Sequence, residues 1–142
     1  MIYNEIKQDL FSVDMDKYYL VHCISSDCKM GAGIAVEFEK RFKLRDELLK
    51  HKLGLRYYPS CIPINNVFNL ITKDKYWDKP TYESLKDSLN IMKIICDRQK
   101  IKYLAMPRIG SGLDKLIWTK VKEIIKEIFE HTNIEILVCY KK

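Results

Sequence analysis

Two stretches of this 142-residue chain limit what it can fold into: YYLVHCISSDCKMGAGIAVEF at 18–38 and IKYLAMPRIGSGLDKLIW at 101–118. In each, an apolar strand-like run feeds through a glycine-containing loop into a helix. Glycine at such a turn lets the backbone approach an anion closely, and the free N–H groups and dipole of the helix start supply partial positive charge. Ligands of open α/β sheets collect outside the carboxyl ends of the strands, so the two loops are expected to face each other across one cleft. Two such loops suit two phosphates, or one diphosphate. Taken singly, each also has a plain reading, since glycine often just ends a strand. Neither matches G-x-x-x-x-G-K-[ST] or G-x-G-x-x-G, which disfavours nucleoside-triphosphate and Rossmann chemistry.

The rest of the pattern alternates strand and helix. Ile117, Val121, Ile124, Ile125 and Ile128 recur at three and four residues and predict a helix over 117–131. A second helix begins near Pro80, a first-turn position where a missing N–H costs nothing, with Leu85, Leu89, Met92 and Cys96 on one stripe. A third runs from about Gly33 to Lys50 through Ile34, Phe38, Phe42 and Leu49. Strands are expected at 2–8, 18–24, 67–72, 101–106 and 134–140, with a weaker one at 55–59; 56–66 is the least regular stretch. The runs at 18–24, 101–106 and 134–140 are almost continuously apolar, as central strands covered on both faces are. The expectation is a three-layer α/β/α domain, single over 1–142.

Composition narrows the function. The formal charge of +6 raises nucleic-acid or membrane contact, but the lysines are scattered along amphipathic helices instead of forming one basic stripe. A solvated lysine-rich surface is therefore the plainer reading, and an anionic ligand explains the remainder as well as a polymer does. Five cysteines and an N-terminus without signal-peptide order point to a reducing cytosol and a cytoplasmic protein. No run has the length of about 18 apolar residues that a span requires, so no membrane partner is expected. Cys23 and Cys28 have no second pair, and His22, His51 and His131 lack ligand spacing, so buried thiols are expected rather than a metal site.

Beyond these patterns, HCISSDCKMGAGIAVEFEKRF, ITK followed by KPTYESLKDSL, MPRIGSGLDKLIW and the terminal NIEILVCY together resemble the macro domain, specifically the terminal ADP-ribose protein glycohydrolase and O-acyl-ADP-ribose deacylase subfamily. The likeness covers nearly the whole chain, with the motifs in the same order. Most macro domains carry a V-N-A-A-N type sequence where this chain has His22 to Asp27, a departure that matches the subfamily. The resemblance implies a central mixed, mostly parallel sheet of about six strands and ADP-ribose as ligand and product, with no cofactor and no metal.

It also implies roles. Asp9 matches the acceptor of the adenine amino group, its alternative being a turn cap; Leu10 and Tyr140 flank the adenine, or pack in the core. Ser25, Met30, Gly31, Ala32, Gly33 and Ile34 match the loop around the distal ribose and diphosphate, and Arg108, Ile109, Gly110, Ser111 and Gly112 the second diphosphate loop. Lys79 of KPTYE matches the nucleophile. The following Pro80 holds its backbone extended, and a helix start with neighbouring lysines disfavours its ammonium form. Asp114 of GLDK matches the acid and base, its alternative being a cap of the following helix. The implied reaction is attack by Lys79 on C1″ of the distal ribose, expulsion of a carboxylate, and hydrolysis of a covalent lysyl-ADP-ribose. The expected partners are ADP-ribose and mono-ADP-ribosylated protein, with a monomer as the acting species. The alternatives are removal of ADP-ribose from a modified nucleic-acid base, a non-catalytic ADP-ribose reader, and a basic nucleic-acid-binding module.

Overall fold

In the computed structural model, which describes residues 1–141, the apolar runs pair into one sheet. Its strands are β1 (Ile2–Lys7), β2 (Tyr19–Ser25), β3 (Ser60–Ile64), β4 (Val67–Lys73), β5 (Tyr103–Met106) and β6 (Glu135–Tyr140). The order across the sheet is β1-β6-β5-β2-β4-β3. Every neighbouring pair is parallel except β3 with β4. The carboxyl ends of β1, β6, β5, β2 and β4 therefore emerge along one edge, in that order but for β3, and this edge carries the site.

Alternation along the buried strands splits the core in two. Val21, Phe68, Leu70, Leu104 and Val138 face α4 (Tyr82–Gln99) and α5 (Trp118–Phe129), while Leu20, Ile24, Ile71 and Ala105 face α1 (Ile34–Phe42), α2 (Leu44–Leu48) and α3 (Lys52–Arg56). The α4 stripe of Leu85, Leu89, Met92 and Cys96 is buried as its spacing requires. Thr81 and Ser84 close a capping box at its start, so Pro80 precedes the cap rather than occupying the first turn. None of the described helices is long and apolar enough to cross a membrane. Four of the five cysteines are buried and Cys23 is half-buried; burial pushes the Cys28 thiol up to about 11 and that of Cys96 to about 12.

The structure corrects two further expectations. The helix expected over 33–50 breaks at Lys43, which has φ 52° and caps α1 through its amide on Glu39 O. In one continuous helix Leu44 would lie about 240° around the axis from Phe38; the break brings both into the same core. The weak strand at 55–59 is instead the end of α3 and a turn, and the strand is β3, within the stretch read as least regular. Asn65 and Asn66, both at positive φ, form the two-residue turn that joins β3 to β4, and Pro63 is tolerated because β3 is an edge.

His22 on β2 is fully buried, its ring stacked on Phe38 with 3.9 Å between centroids. Asn69 Nδ2 donates to Ile62 O at 3.0 Å, which leaves Asn69 Oδ1 to accept from His22 Nε2 at 2.6 Å. The ring is thus held neutral with its proton on Nε2. Burial lowers the imidazole pKa to about 4, only partly offset by the Asn69 bond. Below its ordinary value of about 6.5 the unfolded chain takes up a proton that the folded chain refuses, so stability falls as pH drops from about 6.5 toward 4. The loss is about 3 kcal/mol at the acid end. Urea titrations at pH 7, 6 and 5 are expected to show this decline for the protein and a flatter profile for His22→Gln; parallel profiles would contradict it.

Candidate functional site

The edge where the parallel strands end holds a cleft of about 950 Å³, within the range of ligand pockets. One wall is the loop from β2 to α1 and the other is the loop after β5, as the two glycine junctions suggested. Lys29, Lys73, Lys79, Arg108 and Lys115 line it against one carboxylate, Asp114, so the cleft favours an anion.

The first loop is held in an unusual shape. Cys28, Met30 and Gly33 all have positive φ, and Gly33, at φ 63° and ψ −154°, opens α1 from a region essentially reserved for glycine. Asp27 holds the loop in place: its carboxylate accepts from the Ser25 hydroxyl, from Lys29 N at 3.1 Å and from Tyr76 N at 2.9 Å. Burial pushes this carboxyl up, but the bonds from Ser25, Tyr76 and Lys29 outweigh it and keep it below the usual range. Because Tyr76 follows β4, one carboxylate ties the first loop to the segment leading into α4.

The second loop turns at Gly110, with φ 73°, and its Leu113 side chain crosses to the first loop, 3.1 Å from where a Cβ on Gly33 would stand. Lys79 Nζ donates to Leu113 O at 2.8 Å. Asp114 does not cap α5, whose cap is Ile117 with no side-chain bond. It pairs instead with Lys73, Nζ to Oδ1 at 2.7 Å, with both side chains only about 15% exposed (14% and 15%).

Lys73 was not singled out in the sequence. Pairing between β2 and β4 slips at their ends, so that Ser25 lies opposite Lys73 and Thr72 is skipped. Such a slip re-aims the following side chain, and Lys73 closes on Asp114 while Lys79 is exposed at the rim. Cys23 lies near both charges; burial, followed by Asp114, raises its thiol pKa, so it is a poor nucleophile.

Of the expected site residues, Ser25, Met30, Gly31, Ala32, Gly33, Ile34, Lys79, Arg108, Ile109, Gly110, Gly112 and Asp114 line the cleft. Ser111 does not; its hydroxyl donates to Arg108 O at 2.8 Å within its own loop. Asp9 and Leu10, just past the end of β1, and Tyr140, the last residue of β6, also lie outside the lining. Asp9 accepts from Phe11 N at 3.1 Å as a turn cap does, with its side chain 45% exposed, and Leu10 is buried. The Tyr140 ring carries the Arg108 guanidinium at 4.3 Å and so adjoins the cleft through it.

No family model matches the chain. It is 45% identical over 143 residues to the Bos taurus protein named ADP-ribose glycohydrolase OARD1, and 43% identical to the Homo sapiens protein of the same name. Both alignments cover 94% of this chain and 88% of the relative. Among solved structures, the macrodomain of Mycobacterium tuberculosis DarG superposes with a TM-score of 0.79 at 17% identity, covering 99% of this chain and 98% of that one.

The loop geometry has a direct consequence for stability. Gly33→Ala forces a residue with a side chain to adopt the positive φ of 63° and meet Leu113, and is expected to cost about 1–3 kcal/mol in urea unfolding. Gly31→Ala, where a Cβ meets open space, is expected to stay within about 0.5 kcal/mol of the parent. Equal effects of the two would contradict the strained-loop description.

Proposed function

This chain belongs to the macrodomain family of ADP-ribose glycohydrolases and is a hydrolase, and on that premise we propose that it releases mono-ADP-ribose from esters with acidic protein side chains and deacylates O-acyl-ADP-ribose. Both substrates present an ester at the same ribose. The diphosphate lies between the two glycine loops, the adenosine extends past Arg108 toward Tyr140 and Asp9, and the distal ribose reaches Lys73 and Asp114.

The 2.7 Å pair of Lys73 and Asp114 carries this reading, and it moves the nucleophile from Lys79 to Lys73. A lysine that attacks a sugar carbon works best where solvent is excluded and an acid–base group touches its nitrogen. Lys73 meets both conditions, whereas Lys79 is exposed and its hydrogen bond goes to the Leu113 carbonyl. Lys79 then acts as a rim cation that holds the loop bearing Asp114.

In the first step Asp114 takes a proton from the Lys73 ammonium, and the freed amine attacks C1″. The N–C1″ bond forms, the C1″–O ester bond breaks with its electron pair on the departing carboxylate, and Asp114 passes its proton to that carboxylate. In the second step Asp114 takes a proton from water as the water attacks C1″. The C1″–N bond breaks, and Asp114 returns the proton to Nζ at hydrogen-bond range. The sum is one water consumed and one ADP-ribose released.

Kinetics with glutamate-linked ADP-ribosyl protein tests the assignment. Lys73→Ala is expected to lower kcat by about a thousandfold or more while ADP-ribose Kd stays within about threefold, and Lys79→Ala to keep activity within about tenfold. The opposite pattern returns the nucleophile to Lys79. Turnover of ADP-ribosylated DNA with none on protein overturns the proposed substrate class.

A further inference from the structure

The mechanism leaves one charge cluster unused, beneath the adenosine end of the cleft. Tyr3, Glu5 and Lys7 alternate onto the β1 face that looks toward α5. The Glu5 side chain is 17% exposed. Its carboxylate accepts from Trp118 Nε1 at 2.8 Å and Lys122 Nζ at 2.7 Å, one helical turn apart on α5, and meets Arg108 Nε at 3.5 Å. Burial pushes its carboxyl pKa up, but the bonds from Lys122 and Trp118 and the charges of Lys122 and Arg108 prevail and hold it below the usual range.

Arg108 is the member of this cluster that also lines the cleft, and its guanidinium sits 4.3 Å from the centre of the Tyr140 ring. The β1–β6 register sets Tyr140 opposite Lys7, on the same face as Glu5. Arg108 is more than a third exposed, so without a fixed counter-charge its long side chain would sample many rotamers. Glu5, itself fixed by α5, supplies one.

We propose that Glu5 is a positioning residue: anchored by Trp118 and Lys122, it holds Arg108 against Tyr140 and so preorganises a cation–aromatic platform for the adenosine half of ADP-ribose. This rests on the placement of ADP-ribose in the cleft given above. It assigns a ligand-affinity role to a β1 carboxylate that does not line the cleft, and it makes α5 a support of the binding site as well as of the core.

The test is a double-mutant cycle in ADP-ribose affinity, read by calorimetry on the intact chain. Glu5→Gln is expected to weaken binding about fivefold and to raise KM while leaving kcat unchanged. Arg108→Ala weakens it further, and the double variant is no worse than Arg108→Ala alone, because Glu5 acts through Arg108. Lys122→Met removes one of the two anchors but keeps the Glu5 charge, its Trp118 bond and its pairing with Arg108, so the loss of affinity is expected to be clearly smaller than in Glu5→Gln; a purely structural role for the cluster predicts that Glu5→Gln and Lys122→Met weaken binding alike. Parental affinity in Glu5→Gln, losses that multiply in the double variant, or equal losses in Glu5→Gln and Lys122→Met overturn the proposal while leaving the cleft assignment standing. Failure of the parent chain to bind ADP-ribose overturns both.

Discussion

Lys73 and Asp114 hold opposite charges at 2.7 Å with most of each side chain out of water. Taking two charges out of solvent is costly, and the pair is retained only because each satisfies the other; removal of one strands its partner. The two residues also come from different elements, one ending β4 and the other in the loop after β5, so their contact fixes how those elements stand across the cleft. The slipped pairing at Ser25 makes it possible, because it delivers Lys73 to the edge of the sheet beside the loop.

The rest of the site is arranged around that contact. Asp27 binds the first glycine loop to the segment after β4, and Leu113 spans from the second loop to Gly33 while its carbonyl holds Lys79. Three positive-φ residues in the first loop represent conformational strain that the Asp27 bonds offset. Strain of this kind is concentrated where backbone N–H groups must face a ligand before it arrives. The cleft is thereby preorganised for an anion, with cations at its rim and a charge pair at its reactive end.

Much of this was legible in the sequence. Apolar runs and glycine loops identified β2, β5, α1 and the two walls, and the stripe on α4 predicted the apolar part of its buried face, Ser88 being the buried residue it lacked. The helix break at Lys43 was not legible, since a lysine carries no breaking signal and the turn there is imposed by the need to bury both Phe38 and Leu44. The Asn65–Asn66 turn did carry a signal, two residues tolerant of positive φ between apolar runs, but the strand expected at 55–59 makes no use of it and falls ahead of β3. Lys73 was hidden for a different reason: a strand-end lysine normally reaches solvent, and only a register slip between strands distant in sequence turns this one inward. Glu5 reads as an ordinary edge-strand carboxylate until α5 brings Trp118 and Lys122 over it.

The central claim is that Lys73 forms a covalent bond to the distal ribose and that Asp114 is needed chiefly for its release. The most direct measurement is the intact mass of Asp114→Ala after incubation with glutamate-linked ADP-ribosyl protein, followed by mapping of the modified peptide. One retained ADP-ribose on Lys73 is the expected result. An adduct on Lys79, or rapid turnover with ADP-ribose released and none retained, would contradict it.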